Sequence, residues 1–350
     1  MAQDVAQEPV ADEVRGLFEL MYGTCKAQVV RAFVLLDLAG ALAGGPLRPD
    51  ELVVRLNSHA GATASFVRAC AALGLVRLEP DGRIAVTSLG GKLGTGAPAA
   101  AHVRYLLGPG VTRAYEHMKD VVLRGRSGGE VHGQHLFDYL GDHPDEGSAY
   151  ENVMSEFTAD CLAGLLTAHD FSGYRRMVDV GGGKGDLLCH VLSAAPQATG
   201  TLYDLPHVIE LARDAVAAGV PDDVASRLEF APGNFLESVP GGADLYLLKS
   251  VLIDWSDEHV ARILATIHRT APEGSTLLVI DWFGPDTAEE VAADPSMALR
   301  DFFVRTIVGG RYRSRREFEA ALTNAGFTVE RVISAFATGP SHWGLLVARR

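Results

Sequence analysis

The chain has 350 residues, 47 % of them hydrophobic and 21 % charged, a globular composition long enough for about two domains. A net charge of −13 repels a phosphate backbone, which leaves nucleic acid a poor partner unless the basic residues cluster. The four cysteines (Cys25, Cys70, Cys161 and Cys189) lie far apart without a C-x-x-C pair, so neither a disulfide scaffold nor a zinc ribbon is expected, and no metal site.

Residues 1–16 are polar and acidic, with no basic segment leading into an apolar one, and do not read as a signal peptide. No apolar run approaches the roughly 20 residues that span a bilayer, so the expectation is a cytoplasmic protein with no membrane partner. Apolar spacing predicts a helix over 14–42, stopped at Gly44-Gly45-Pro46, then helices over 49–56 and 63–73, the last ended by Gly74. Residues 76–87 read as two short strands turning at Asp81-Gly82. Helix, helix and β-wing is the pattern of a winged helix. The would-be recognition helix over 63–73 carries one arginine among alanines, a surface suited to protein rather than to base edges.

Residues 100–170 are predicted helical, with Gly- and His-bearing loops at 125–133 and 141–147. From 176 onward the periodicity changes. Strand-like runs at 177–180, 201–204, 228–231, 244–248 and 276–281 alternate with helix-like runs at 184–194, 207–218, 258–271 and 314–325. That alternation predicts an α/β fold, a doubly wound Rossmann-like parallel sheet. The runs 328–333 and 343–348 have no helix between them and are expected to pair antiparallel.

The first of these strands ends in Asp179-Val180-Gly181-Gly182-Gly183-Lys184-Gly185 and opens a helix, placing a glycine turn where α/β folds bind ligands. Position 186 is Asp, so the third glycine of G-x-G-x-x-G is misplaced for a dinucleotide. Asp204 ends the second strand, where a carboxylate can accept from two ribose hydroxyls. Together these residues point to an adenosine-type ligand.

Five segments then come in order: Val178-Asp-Val-Gly-Gly-Gly-Lys-Gly185, Tyr203-Asp-Leu-Pro-His-Val208, Gly233-Asn-Phe235, Leu248-Lys-Ser-Val-Leu-Ile-Asp-Trp-Ser-Asp-Glu258 and Gly309-Gly-Arg311. With them the chain closely resembles the S-adenosylmethionine-dependent O-methyltransferases of the plant caffeic-acid type and their bacterial relatives that act on anthracyclines and other polyketides. The resemblance covers nearly the whole chain. It implies a winged-helix dimerisation domain over 1–100, a helical linker and substrate-pocket region over 101–170, and a Rossmann-like catalytic domain over 171–350. It also implies a homodimer, S-adenosyl-L-methionine as cofactor and a small aromatic or polyketide-like substrate of specialised, antibiotic-type metabolism.

The cofactor residues it implies are Asp179, Gly181 and Gly183 at the methionine end, Asp204 at the ribose and Leu205 beside the adenine. Asn234 and Phe235 would meet the adenine edge and face; the family commonly has Asp at the first of these positions. Lys249 and Ser250 would border the charged end, and Trp255 would stack against the cofactor.

The departure lies in the catalytic residues. Methyl transfer to a phenol needs a deprotonated oxygen, and a phenol of pKa near 10 held without a base at pH 7 costs about 4 kcal/mol. The family supplies a histidine immediately before the Asp-Trp pair; here that position is Ile253. Of the two carboxylates that orient the histidine in the family, one falls at Asp281, shortened from Glu, and the other at Tyr312. Asp254, Asp281 and Tyr312 are therefore the candidate catalytic residues.

His117 is expected at the substrate, and with His132, His135 and His169 it is a candidate replacement base, each with a packing role as the alternative. Phe157, Ile253, Phe303 and Ile307, with Phe302, would form an apolar slot for a flat aromatic, or serve as ordinary core. Arg300 and Arg305 flank that run and could meet a substrate carboxylate. Three readings remain at this stage. They are methyl transfer to oxygen, carbon or nitrogen; an enzyme that holds the cofactor without transferring its methyl, catalysing hydroxylation, decarboxylation or a pericyclic step; and a non-catalytic regulator.

Overall fold

The computed structural model describes residues 8–336 and 343–350. Its contacts divide the chain into two compact units, up to Thr112 and from Arg113 onward. Among the described residues no helix is long and apolar enough to cross a membrane.

In the first unit the apolar run predicted as one helix over 14–42 is three: Glu8–Met21, Gly23–Leu35 and Leu38–Leu42. The second break has a local cause. Asp37 adopts φ 45°, and its Oδ1 caps the Gly40 backbone N–H at 3.3 Å, so the chain turns where the apolar spacing alone would continue. Helices Pro49–Leu56 and Ala60–Ala72 follow, then strands β1 (Val76–Leu78) and β2 (Ile84–Val86), paired antiparallel. Leu47 bridges Ile84 from the other side and completes the wing. Phe33, Leu38, Leu52, Val67, Cys70 and Ile84 form this unit's core.

In the second unit, helix Pro144–Ala168 precedes strands β3 (Arg176–Val180), β4 (Thr199–Asp204), β5 (Leu228–Pro232), β6 (Leu245–Lys249), β7 (Thr276–Trp282), β8 (Thr328–Ser334) and β9 (Trp343–Arg349). They form one sheet in the order β5-β4-β3-β6-β7-β9-β8. The strands from β5 to β7 are parallel, and β9 runs antiparallel between β7 and β8, as the missing helix predicted.

A parallel sheet is covered on both faces, so its strands are apolar almost throughout. The two-residue alternation sorts them. Met177, Leu245, Leu247, Leu278 and Ile280 face one core, whereas Val178, Val180, Tyr246, Leu248, Leu277 and Val279 face the other. Asp179 falls on the first of these faces, in a strand otherwise apolar there, and is 1 % exposed.

The chain order reverses at β3, which has β4 on one side and β6 on the other, and this opens a crevice beyond their carboxyl ends. No element is expected from the sequence over 283–313, yet helices Ala288–Ala293 and Pro295–Val308 occupy it. Pro295–Val308 is fixed by its ends, with Asp294 capping the Ser296 and Met297 N–H groups and Gly309 closing it at φ 82°, rather than by a clear apolar stripe.

Leu278 is fully buried in β7 at the centre of this sheet. Truncation to Leu278→Ala is expected to destabilise the chain by about 2–5 kcal/mol, read as a lower midpoint in urea unfolding followed by far-UV circular dichroism.

Candidate active site

The turn after β3 is built from residues that only glycine fits comfortably. Gly181, Gly183 and Gly185 have φ of 72°, 56° and 88°. A Cβ on Gly182 would lie 2.3 Å from Leu202 Cδ1. The Gly181 N–H donates to Tyr203 O at 2.8 Å, and the Gly183 N–H to Asp204 Oδ2 at 2.9 Å, tying the turn to the end of β4. Asp204 Oδ1 accepts from the Leu205 N–H at 2.7 Å. Its carbonyl accepts from the Gly233 N–H at 2.9 Å, which brings Asn234 and Phe235 alongside. After β6, Ser250 takes φ 54°, an unusual conformation for a non-glycine residue, with its N–H bonded to Ile280 O at 2.9 Å.

These segments enclose a cavity of about 610 Å³, within the usual range for small-molecule sites. The predicted residues Gly181, Gly183, Asp204, Leu205, Asn234, Phe235, Lys249, Ser250 and Trp255 all line it, and so does Asp254. Trp255 stacks on the His135 ring (centroids 5.2 Å apart, planes 4° apart) and meets Phe235 edge-on at 5.6 Å. Burial lowers the pKa of His135, favouring the neutral ring.

Sequence reasoning missed the wall contributed by helix Pro144–Ala168. Gly147, Glu151, Met154, Ser155 and Thr158 line the cavity from one stripe at helical spacing. The available signal was an acidic residue on an inward-facing stripe.

The loop after β6 is held from behind. Arg313, 1 % exposed, donates to Leu252 O at 2.6 Å, Trp255 O at 2.7 Å and Asp257 Oδ1 at 2.7 Å. The Arg311 N–H donates to Ile253 O at 2.9 Å, and a Cβ on Gly310 would lie 1.9 Å from that same oxygen. Asp281, fully buried, accepts from the Ile253 N–H at 3.2 Å and the Trp282 N–H at 2.9 Å. The Ile253 backbone is thereby fixed from two directions, and its side chain, 3 % exposed, is not on the cavity lining.

The remaining predicted residues also lie off that lining. Tyr312 stacks on Trp282 at 6.3 Å, its backbone N–H donates to Asp301 Oδ1 at 2.7 Å, and burial raises its pKa. Phe157 meets Trp282 edge-on at 5.0 Å. Phe303 and Ile307 are on helix Pro295–Val308, with Ile307 buried, and His117 ends a short 3-10 turn, Arg113–His117. His169 bonds the Tyr174 hydroxyl at 3.0 Å just before β3, at the opposite end of the strands from the crevice, and burial pushes it down to about 4. The side chain of His132 lies outside the described residues.

Electrostatically the site is a set of buried acids. Burial pushes Asp179 up to about 7, with Asp204 and Asp186 adding repulsion and Lys249 opposing it. Asp179 Oδ2 accepts no hydrogen bond. Burial, and then the neighbouring Asp281, push Asp254 up to about 8; burial pushes Asp281 up to about 7 and Glu151 up to about 8.

Residues 115–328 match the O-methyltransferase domain family. The chain is 35 % identical to the O-demethylpuromycin-O-methyltransferase of Streptomyces alboniger, over 90 % of this chain and 84 % of that protein. It is 32 % identical to the mitomycin biosynthesis 6-O-methyltransferase of Streptomyces lavendulae, over 97 % of this chain and 94 % of that protein. The solved structure of the mitomycin 7-O-methyltransferase MmcR matches with a TM-score of 0.87 at 30 % identity, covering 99 % of this chain and 100 % of that one.

Two outcomes are expected from this geometry. Arg313→Ala removes the guanidinium donors from the carbonyls of Leu252 and Trp255 and from Asp257, and should cost about 3 kcal/mol in denaturant unfolding; a change under about 1 kcal/mol would mean the loop is held by other contacts. Separately, the raised carboxylates bind protons in the folded chain at pH values where the unfolded chain, ionising near 3.8 for Asp and 4.5 for Glu, has lost them. Their contribution to the stability of the ligand-free protein is therefore present below pH ~4 and is lost as pH rises toward ~8. Melting temperature should be lower at pH 8 than at pH 5.5.

Proposed function

This chain belongs to the O-methyltransferase family, and from that premise we propose that it methylates a hydroxyl group on an aromatic or polyketide-type small molecule, with Asp254 receiving the proton. It is an S-adenosylmethionine-dependent methyltransferase, as are its relatives and structural neighbours. The residues present fit that cofactor. The glycine turn admits close approach of a ligand, and the acidic side chains of Glu151 and Asp204 line the adjoining wall. When bound, the cofactor supplies an electrophilic methyl group on a positively charged sulfur.

In this reading Asp204 holds the ribose hydroxyls while the Gly183 N–H keeps its carboxylate in place. Leu205, Asn234 and Phe235 receive the adenine, Gly181 and Gly183, with Asp179 beneath them, take the methionine end with Lys249 and Ser250, and Trp255 closes the wall between His135 and Phe235. Phe157, Ile253, Phe303, Ile307 and His117, expected at the substrate, lie off this cavity's lining. Tyr312 and Asp281 act as positioning residues behind the loop, Asp281 through the Ile253 N–H.

One observation carries the choice of base. Asp254 lines the cavity, whereas the preceding Ile253, which cannot take a proton, is buried and does not. With Asp254 raised to about 8, its ionised form is closer in basicity to a phenolate near 10 than an ordinary carboxylate is, and it can accept the phenol proton once it has lost its own. Transfer to an amine nitrogen is a second reading favoured by Ile253, since a neutral amine attacks without a base. The two-unit division and the apolar residues exposed on helix Glu8–Met21 (Leu17, Phe18, Leu20 and Met21) support the first unit as a homodimerisation domain.

The test follows S-adenosylhomocysteine formation with candidate phenols and anilines. Stoichiometric S-adenosylhomocysteine with O-methyl product is expected, and product formed without it overturns methyl transfer. Because the base must be ionised, kcat/KM should rise with pH and level off above about 8. Asp254→Asn should lower that plateau roughly 100-fold; an unchanged plateau would remove Asp254 from the chemistry and favour nitrogen as the acceptor.

A further inference from the structure

Glu151 is unexplained by any role given above beyond its charge. It sits one-third of the way along helix Pro144–Ala168, is 7 % exposed, and lines the cavity directly opposite the glycine turn. Its Oε2 lies 3.1 Å from where a Cβ on Gly183 would be, so the carboxylate presses on the one stretch of backbone that leaves room for a ligand. Among the described residues no hydrogen bond reaches it.

The charged groups around it are engaged elsewhere. Lys184 Nζ donates to Asn152 Oδ1 at 2.9 Å, and Lys249 Nζ donates to Ser250 Oγ at 3.4 Å and lies 5.8 Å from the centre of the Trp343 ring. On the acidic side, Asp204 accepts from two backbone N–H groups and Asp186 from the Ser155 hydroxyl. Asp179 shares the lack of a donor but lies beneath the turn and off the cavity lining. Glu151 is thus a buried acceptor that a ligand can reach beside the glycine turn, as Asp254 is beside the loop after β6. A buried carboxylate without a donor is unfavourable and stays neutral until a cation arrives.

We propose that Glu151 is the seat of the cofactor's amino-acid ammonium group, reading that end of the ligand through a charge-assisted hydrogen bond from the helix wall. This rests on the cofactor assignment above. Seating a cation ionises the carboxylate, so binding near neutral pH releases a proton from Glu151. Asp204, Lys249, Lys184 and Asp186 face it from β4, β6, the turn and the start of the helix that the turn opens.

Calorimetry with two probes separates this role from the rest of the site. S-Adenosylhomocysteine carries the ammonium, whereas 5′-methylthioadenosine keeps the nucleoside and lacks the amino-acid end. Glu151→Gln should raise Kd for S-adenosylhomocysteine at least ~10-fold and leave that for methylthioadenosine within about twofold. Glu151→Asp, which keeps the charge on a shorter arm, should recover part of the loss, an effect that a purely structural role would not give. Titrations in buffers of different ionisation enthalpy at pH 7 should show proton release by the native chain and less by Glu151→Gln. Equal weakening of both probes, or no change in S-adenosylhomocysteine binding, overturns the proposal while leaving the cofactor assignment standing. Failure of the native chain to bind S-adenosylhomocysteine at all sinks that assignment, and this proposal with it.

Discussion

The hydrogen bond from the Gly183 N–H to Asp204 Oδ2 carries the contact between two neighbouring strands beyond their ends. β3 and β4 are neighbours in the sheet, but their carboxyl ends lead to different helices and would diverge beyond the last ladder bond. The carboxylate bridges them, accepting from the turn with one oxygen and from its own chain with the other. The carbonyl of the same residue then receives Gly233, so the segments after β3, β4 and β5 close on one acid. Every other cavity residue is placed relative to that junction.

That arrangement concentrates acidic side chains where water is largely excluded. Asp204, Glu151 and Asp254 on the cavity lining, and Asp179 beneath the turn, all have pKa values raised by burial. A site of this kind is unfavourable empty and becomes favourable with a cationic guest, which is the physical logic of recognising a sulfonium and an ammonium on one small molecule. The lysines at the rim, Lys184 and Lys249, moderate the acidity and are themselves held by Asn152 and Ser250.

Behind the site, Arg313 converts a loop into a fixed wall. A guanidinium offers five donors in a rigid plane, and here it spans two carbonyls and a carboxylate around Leu252–Asp254. Asp281 does the matching work from β7 by accepting the Ile253 N–H. The backbone at Ile253 is thus held from both sides, and the adjoining Asp254 lines the cavity while Ile253 does not.

Much of this was legible in the residues. The β/α alternation after 176, the antiparallel last pair, the glycine turn and Asp204 are local patterns with period, spacing or conformational demands that a linear chain displays directly. For the same reason the cofactor wall from Gly181 to Trp255 was readable, since each of its residues follows a strand end. What sequence could not show depends on distant segments meeting. Asp37 breaking a long apolar run, the capped helix Pro295–Val308, and the placement of Ile253 off the lining are decided by caps and packing rather than by periodicity. Glu151 is the clearest case. On its own helix it is one acid among several, and only the fold sets it against Gly183 in a buried wall, where desolvation gives its charge a meaning that the chain alone does not carry.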